Sequence, residues 1–232
     1  MILSGLLIVA CGGKKQEDTT KVISVEDYET STFSVGAGEG SVEGLLGNVT
    51  QDEIERVFSN NQNAMMRCYQ EVLEDVEEIE GELQFDLEVA SDGSVQSAFI
   101  SSSDLGAVSA ESCMLSRVRG FHFNRVPGGI AVLYYPLTLE APYDPPDPQI
   151  WDNARVSDVL NEHAAEVEEC LGGATGVKVT AYVGKGGMVL SAGASGADAD
   201  TYDHAVCLAR AAQSWVFQSP PSNDLVKVSL DF

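Results

Sequence analysis

Residues 81–95 read GELQFDLEVASDGSV, from Gly81 to Val95. Leu83, Phe85, Leu87 and Val89 occupy every second position, and strand side chains project to alternate faces, so the segment reads as a half-buried strand. Ser91-Asp92-Gly93-Ser94 follows with the small and positive-φ residues of a hairpin turn, and a second strand starts at Val95. The same design returns further along. Val177, Val179, Ala181 and Val183 alternate, Gly184-Lys185-Gly186-Gly187 turns the chain, and Val189 begins the next strand.

These two hairpins sit inside a longer internal repeat. A shift of 94 positions carries Gly93 to Gly187, Ser101 to Ser195, Asp104 to Asp198, Cys113 to Cys207, Phe121 to Trp215, Phe123 to Phe217 and Pro127 to Pro221. Upstream the shift becomes 102, carrying Ile54, Val57, Phe58, Met65 and Cys68 to Val156, Val159, Leu160, Val167 and Cys170. The second copy is therefore eight residues shorter between its first cysteine and its first strand.

Each copy opens with an amphipathic helix. Thr50 and Glu53 have the spacing of a capping box, and Ile54, Val57, Phe58, Met65, Cys68 and Val72 recur on one helical face. Ser157 takes the N-cap position ahead of Val159, Leu160, Val167 and Cys170. Beyond each hairpin, Asp104–Ser109 and Asp198–Asp203 lead into a second helix carrying Cys113 or Cys207, and final strands run through 131–139 and 225–232. The order α-β-β-α-β in each copy predicts an α+β protein: two tandem small domains, each an antiparallel sheet with its helices on one face.

Composition marks the boundaries. Residues 11–49 are rich in Gly, Ser, Thr and acids without a sustained period, and read as a flexible tether. Four prolines in 141–150 mark a linker between a first domain at 50–140 and a second at 151–232. Residues 1–10 are apolar or small, too short to span a bilayer but suited to the core of a secretory signal. Ile8-Val9-Ala10-Cys11 resembles the bacterial lipobox, which implies that Cys11 is lipidated and anchors the chain to a membrane. The stretch departs from such signals in having no Lys or Arg before Cys11. Gly12, standing where inner-membrane lipoproteins carry Asp, implies the outer membrane.

The cysteine count is odd, five in all. With Cys11 outside both copies, one cysteine remains on each helix, which pairs Cys68 with Cys113 and Cys170 with Cys207 if the Cα atoms approach within about 7 Å. An exported chain meets an oxidising compartment, where small domains gain roughly 2–4 kcal/mol from each such staple. Buried free thiols are the alternative.

Cys68-Tyr69 on a helix, the GELQFDLEVASDGSV run, Ser101-Ser102-Ser103-Asp104, Cys113, and Phe121-His122-Phe123 before Pro127-Gly128-Gly129 resemble the AgmX/PglI C-terminal domain of myxobacterial envelope proteins. That domain is in turn similar to the TonB C-terminal domain. The resemblance covers 50–140 well and 151–232 less closely, where Cys-Leu replaces Cys-Tyr. It implies an envelope setting such as a gliding-motility complex. It says little about activity, because folds are shared among functions.

Chemistry-bearing motifs are sparse. Gly193-Ala194-Ser195-Gly196-Ala197 lacks the closing glycine of a nucleophile elbow, and His122, His163 and His204 occupy non-equivalent places in the two copies. Asp198, Asp200 and Asp203 cluster carboxylates without the glycine and distant Glu of an EF-hand, so they read as a helix cap and at most a weak Ca²⁺ site. A net charge of −23 repels phosphate backbones and excludes nucleic acid as a partner class. The expectation is a non-catalytic envelope lipoprotein without a cofactor, lipid-anchored in the envelope and serving as an interaction or scaffold module for envelope proteins. Its candidate sites for a partner's strand are the last strands, around Leu133, Tyr134 and Tyr135 and around Lys227, Val228 and Ser229. A Ca²⁺- or small-ligand-binding periplasmic module is the alternative, and an exported hydrolase is a weaker one.

Overall fold

The computed structural model describes residues 23–24, 47–142, 148–220 and 225–232. The protein is α+β, with two four-stranded sheets of matching order. The first half contains β1 (Ile23–Ser24), α1 (Gln51–Leu73), β2 (Gly81–Val89), β3 (Val95–Ser103), α2 (Val108–Arg119) and β4 (Ala131–Glu140). The second contains β5 (Gln149–Trp151), α3 (Ser157–Glu162), α4 (Ala164–Leu171), β6 (Val177–Val183), β7 (Val189–Gly196), α5 (Ala199–Ala212) and β8 (Val226–Asp231). The strand orders are β1-β4-β2-β3 and β5-β8-β6-β7. In each sheet a hairpin and the last strand are antiparallel, and a short leading strand adds parallel to the last one.

The equivalence of the halves reaches individual bonds. Gly93 and Gly187 both have positive φ, at 93° and 77°. Each accepts a bond from an aromatic residue's amide, Phe123 N–H to Gly93 O and Phe217 N–H to Gly187 O, both at 2.8 Å. A Cβ on either glycine would run into the carbonyl of that same Phe123 or Phe217. Only glycine combines this φ with this approach.

The helices of each half cover one sheet face. Phe58 of α1 stacks on Tyr135 of β4 at 3.5 Å between ring centroids and meets Phe121 edge-on at 5.0 Å. Disulfides join α1 to α2 through Cys68–Cys113 and α4 to α5 through Cys170–Cys207, with Cα separations of 5.7 and 5.5 Å.

Several sequence expectations change. Ile23–Ser24, read as tether, and Gln149–Ile150, read as linker, belong to strands, because β4 and β8 each have an outer side to pair. Thr50 occupies the α1 N-cap without a side-chain bond; Glu53 instead accepts from the Asn124 amide and lies 3.6 Å from Arg56. Ser157 is the first residue of α3 rather than its cap, which is Val156, and a turn at His163 divides the expected single helix in two.

The largest departure is β6. Its expected half-burial holds for β2, whose outward Gln84, Asp86 and Glu88 reach solvent to differing degrees. In β6 the equivalent outward residues include Thr180 at 2% exposure and Tyr182 at 0%. At these positions β6 is buried on both faces because the first half packs against its outer side, with Tyr182 entering the first half's core.

Candidate functional site

The line along which the halves meet gathers several buried polar groups, Glu111, Thr180 and Lys227 among them. Glu111 of α2 is fully buried, and its carboxyl takes two bonds. Ser103 Oγ donates to it at 2.7 Å, and the Ala194 amide of β7 donates at 2.7 Å. β7 is the outermost strand of the second sheet, so the Glu111 carboxyl takes the place of a neighbouring strand's carbonyl. Burial pushes its pKa up to about 7, against the lowering effect of those same donors. Gly193 makes the approach possible: a Cβ there would lie 2.5 Å from the Ala107 nitrogen. This assigns Gly193 and Ser195, neighbours in the elbow-like motif, to a seam and an interior. Ser195 is 2% exposed.

A second contact uses the segment present only in the first half. Residues 74–80 lie between α1 and β2, and Val76 and Ile79 tuck into the core, with Tyr69 Oη donating to Ile79 O at 2.5 Å. This acid-rich segment therefore has a buried side. Glu80, at its close, meets the second half through its main chain. Tyr182 Oη donates to Glu80 O at 2.9 Å and accepts from Glu80 N–H at 3.3 Å. Lys227 Nζ donates to Glu80 O at 3.3 Å and pairs with Asp104 Oδ2 at 3.2 Å. Burial drives the Tyr182 hydroxyl pKa upward, so it stays a neutral donor.

Two clefts open along this seam, each lined by both halves. One, of about 690 Å³, is bordered by Glu80, Glu82, Asp104, Glu140 and Lys227. The other, of about 480 Å³, is lined by Glu71, Val72, Asp75 and Val76 from the first half and by Val189 and Leu190 from the second.

The expected site residues distribute differently. Cys11 lies outside the described residues. The last strands are not outermost: β8 pairs with β5 at Lys227 and Val228, so the proposed edge at Lys227, Val228 and Ser229 is largely closed. β4 is bordered by β2 along its length and by β1 at Leu139 and Glu140, while Leu133 and Tyr135 point into the core. The carboxylates Asp198, Asp200 and Asp203 form no metal-ligating group, and no cluster of three or more such ligands occurs among the described residues. Asp198 is occupied as the α5 cap, accepting from Thr201 N–H and Thr201 Oγ1 at 2.8 and 2.9 Å, which holds its pKa below the usual carboxylate range. His163 stacks on Trp215 at 4.8 Å, and His204 Nδ1 lies 2.7 Å from Cys170 O.

Sequence reading missed Glu111, Tyr182 and Glu80. A signal for Tyr182 was present: at the outward positions of the repeated strand, Asp86 and Glu88 become Thr180 and Tyr182. Loss of both charges marks a face withdrawn from water. No family model matches the chain, and neither a curated protein nor a solved structure is significantly similar to it.

Proposed function

We propose that this chain is a non-catalytic envelope lipoprotein whose two halves act together as one protein-binding body, held to a membrane by lipid on Cys11. The observation that supports this most is the seam. Two halves, each with its helices stapled by a disulfide and locked to the other by Glu111, Tyr182 and Lys227, make a single platform whose polar groups are engaged in holding the halves. Disulfides in both halves fit an oxidising compartment. The lipobox-like stretch ending at Cys11 supplies the anchor, and the resemblance of 50–140 to AgmX/PglI-type domains supplies the context of a gliding-motility or other envelope complex. No helix among the described residues is long and apolar enough to cross a membrane.

Mild crosslinking followed by affinity purification from envelope extracts tests the adaptor role. Discrete envelope proteins should copurify; recovery of the chain alone would refute it. Mass analysis of the mature N-terminus tests the anchor, with a lipidated Cys11 as the predicted first residue.

A further inference from the structure

We propose that the smaller seam cleft, together with the apolar rim beside it, is the docking site for a partner segment that combines apolar and basic side chains. This rests on the adaptor reading above and names the place and chemistry of the contact.

The rim is formed by Met188, Leu190 and Val216, which are 60%, 47% and 59% exposed. Met188 and Val216 are bridged to each other, and Leu190 reaches into the cleft. The first half has an equivalent bridge, Ser94 to His122, and Gln96 stands at the position of Leu190. The same backbone is therefore built with polar residues at these three places in one half and apolar residues in the other. The fold does not require the apolar set, and exposed apolar groups that pack against nothing contribute no burial to stability.

Charge indicates what covers them. Glu71 and Asp75 border the cleft at the end of α1, where the helix dipole is already negative, and the last turn holds no basic residue. Neither carboxylate has an ion-pair partner among the described residues. Two like charges placed one helical turn apart repel. A Lys or Arg entering beside an apolar anchor relieves that repulsion while covering Leu190. A whole-chain charge of −23 steers basic segments toward the protein and repels acidic ones.

The test uses the full chain and an 18-residue amphipathic peptide of Leu and Lys, with a Leu/Glu peptide as its counterpart. Titration by fluorescence anisotropy should show binding of the Leu/Lys peptide only. The variant Met188→Ser/Leu190→Gln/Val216→His installs the first half's residues and leaves formal charge unchanged. It should weaken binding at least tenfold, whereas unchanged affinity within twofold would overturn the proposal, since general acidity would then explain the attraction. Glu71→Gln/Asp75→Asn should weaken binding several-fold and flatten its salt dependence.

A photocrosslinker replacing Leu190 separates the possible occupants. Crosslinks to the peptide support the site; crosslinks to residues 1–46 of the same chain, or to a second copy with a matching dimer in sedimentation, overturn it. The two proposals also fail separately. Envelope partners captured equally by the triple variant would refute this site and leave the adaptor role standing. Peptide binding lost in the triple variant, with no envelope partner captured by the parent chain, would uphold the site and refute the role.

Discussion

The two sheets are built to one plan and sit in different surroundings. The outward face of β2 carries Gln84, Asp86 and Glu88, with Ser101 Oγ donating to Asp86 Oδ1 at 2.6 Å across the hairpin. The corresponding face of β6 carries Lys178, Thr180 and Tyr182 and is covered by the first half. A strand's period records which residues face the helices. Whether the opposite face is wet is recorded only in the chemistry of the residues between them. One sheet presents a solvated face and the other presents a face covered by its counterpart half.

Exchanging residues between the faces gives the largest expected effect. Tyr182→Glu puts a carboxylate into a fully buried site and removes both bonds to Glu80, and should cost more than about 4 kcal/mol. The reciprocal Glu88→Tyr, on the exposed face, should change stability by less than about 0.5 kcal/mol. Urea denaturation of both variants checks the pair. Similar costs would show that the two faces are not different environments.

The disulfides come next. Replacing either pair by alanines should cost roughly 2–4 kcal/mol. The sequence separations of 45 and 37 residues differ so little that loop-closure entropy predicts costs within about 0.2 kcal/mol of each other. A clear inequality in denaturation midpoints, at constant m-value, would locate unequal packing in the halves.

Glu111 makes the seam sensitive to pH. Its pKa rises from 4.5 to about 7 on folding, so the folded state holds the proton more tightly than the unfolded one. Stability is then greatest below about pH 4.5 as far as this group is concerned, declines between about 4.5 and 7, and levels off above. The span is at most about 3 kcal/mol. Glu111→Gln keeps an acceptor for the Ala194 amide and should remove that slope in unfolding measured across the window. An unaltered slope would assign the pH dependence elsewhere.

A smaller effect is expected at Gly193→Ala. The added Cβ meets the Ala107 nitrogen and should cost about 1–3 kcal/mol, with the seam shifting to relieve it. Amide exchange at Ala194 should quicken in this variant, while exchange in β2 stays slow.

Much of this architecture was legible. The alternation of Leu83, Phe85, Leu87 and Val89, the turn glycines and the shared cysteine positions led to both hairpins and to the pairing of helices. β1 and β5 escaped notice because two or three residues cannot establish a period. The edge assignment at Lys227–Ser229 failed for the same reason, since the strand that closes it begins inside a proline-rich stretch. Glu111 was invisible as well: an acid on a helix reads as solvated, and its burial depends on a strand 83 residues away. The extra residues 74–80 were seen as a length difference, but their acids concealed a main chain that binds the second half.

Hydrogen exchange followed by mass spectrometry under increasing urea, with disulfides intact, tests most directly whether the halves form one body. Peptides covering β2 and β6 should lose protection together in a single transition, because β6 owes its second buried face to the first half. Loss of protection in β6 at clearly lower urea, with β2 still protected, would contradict the account and leave two independent sheets on a string.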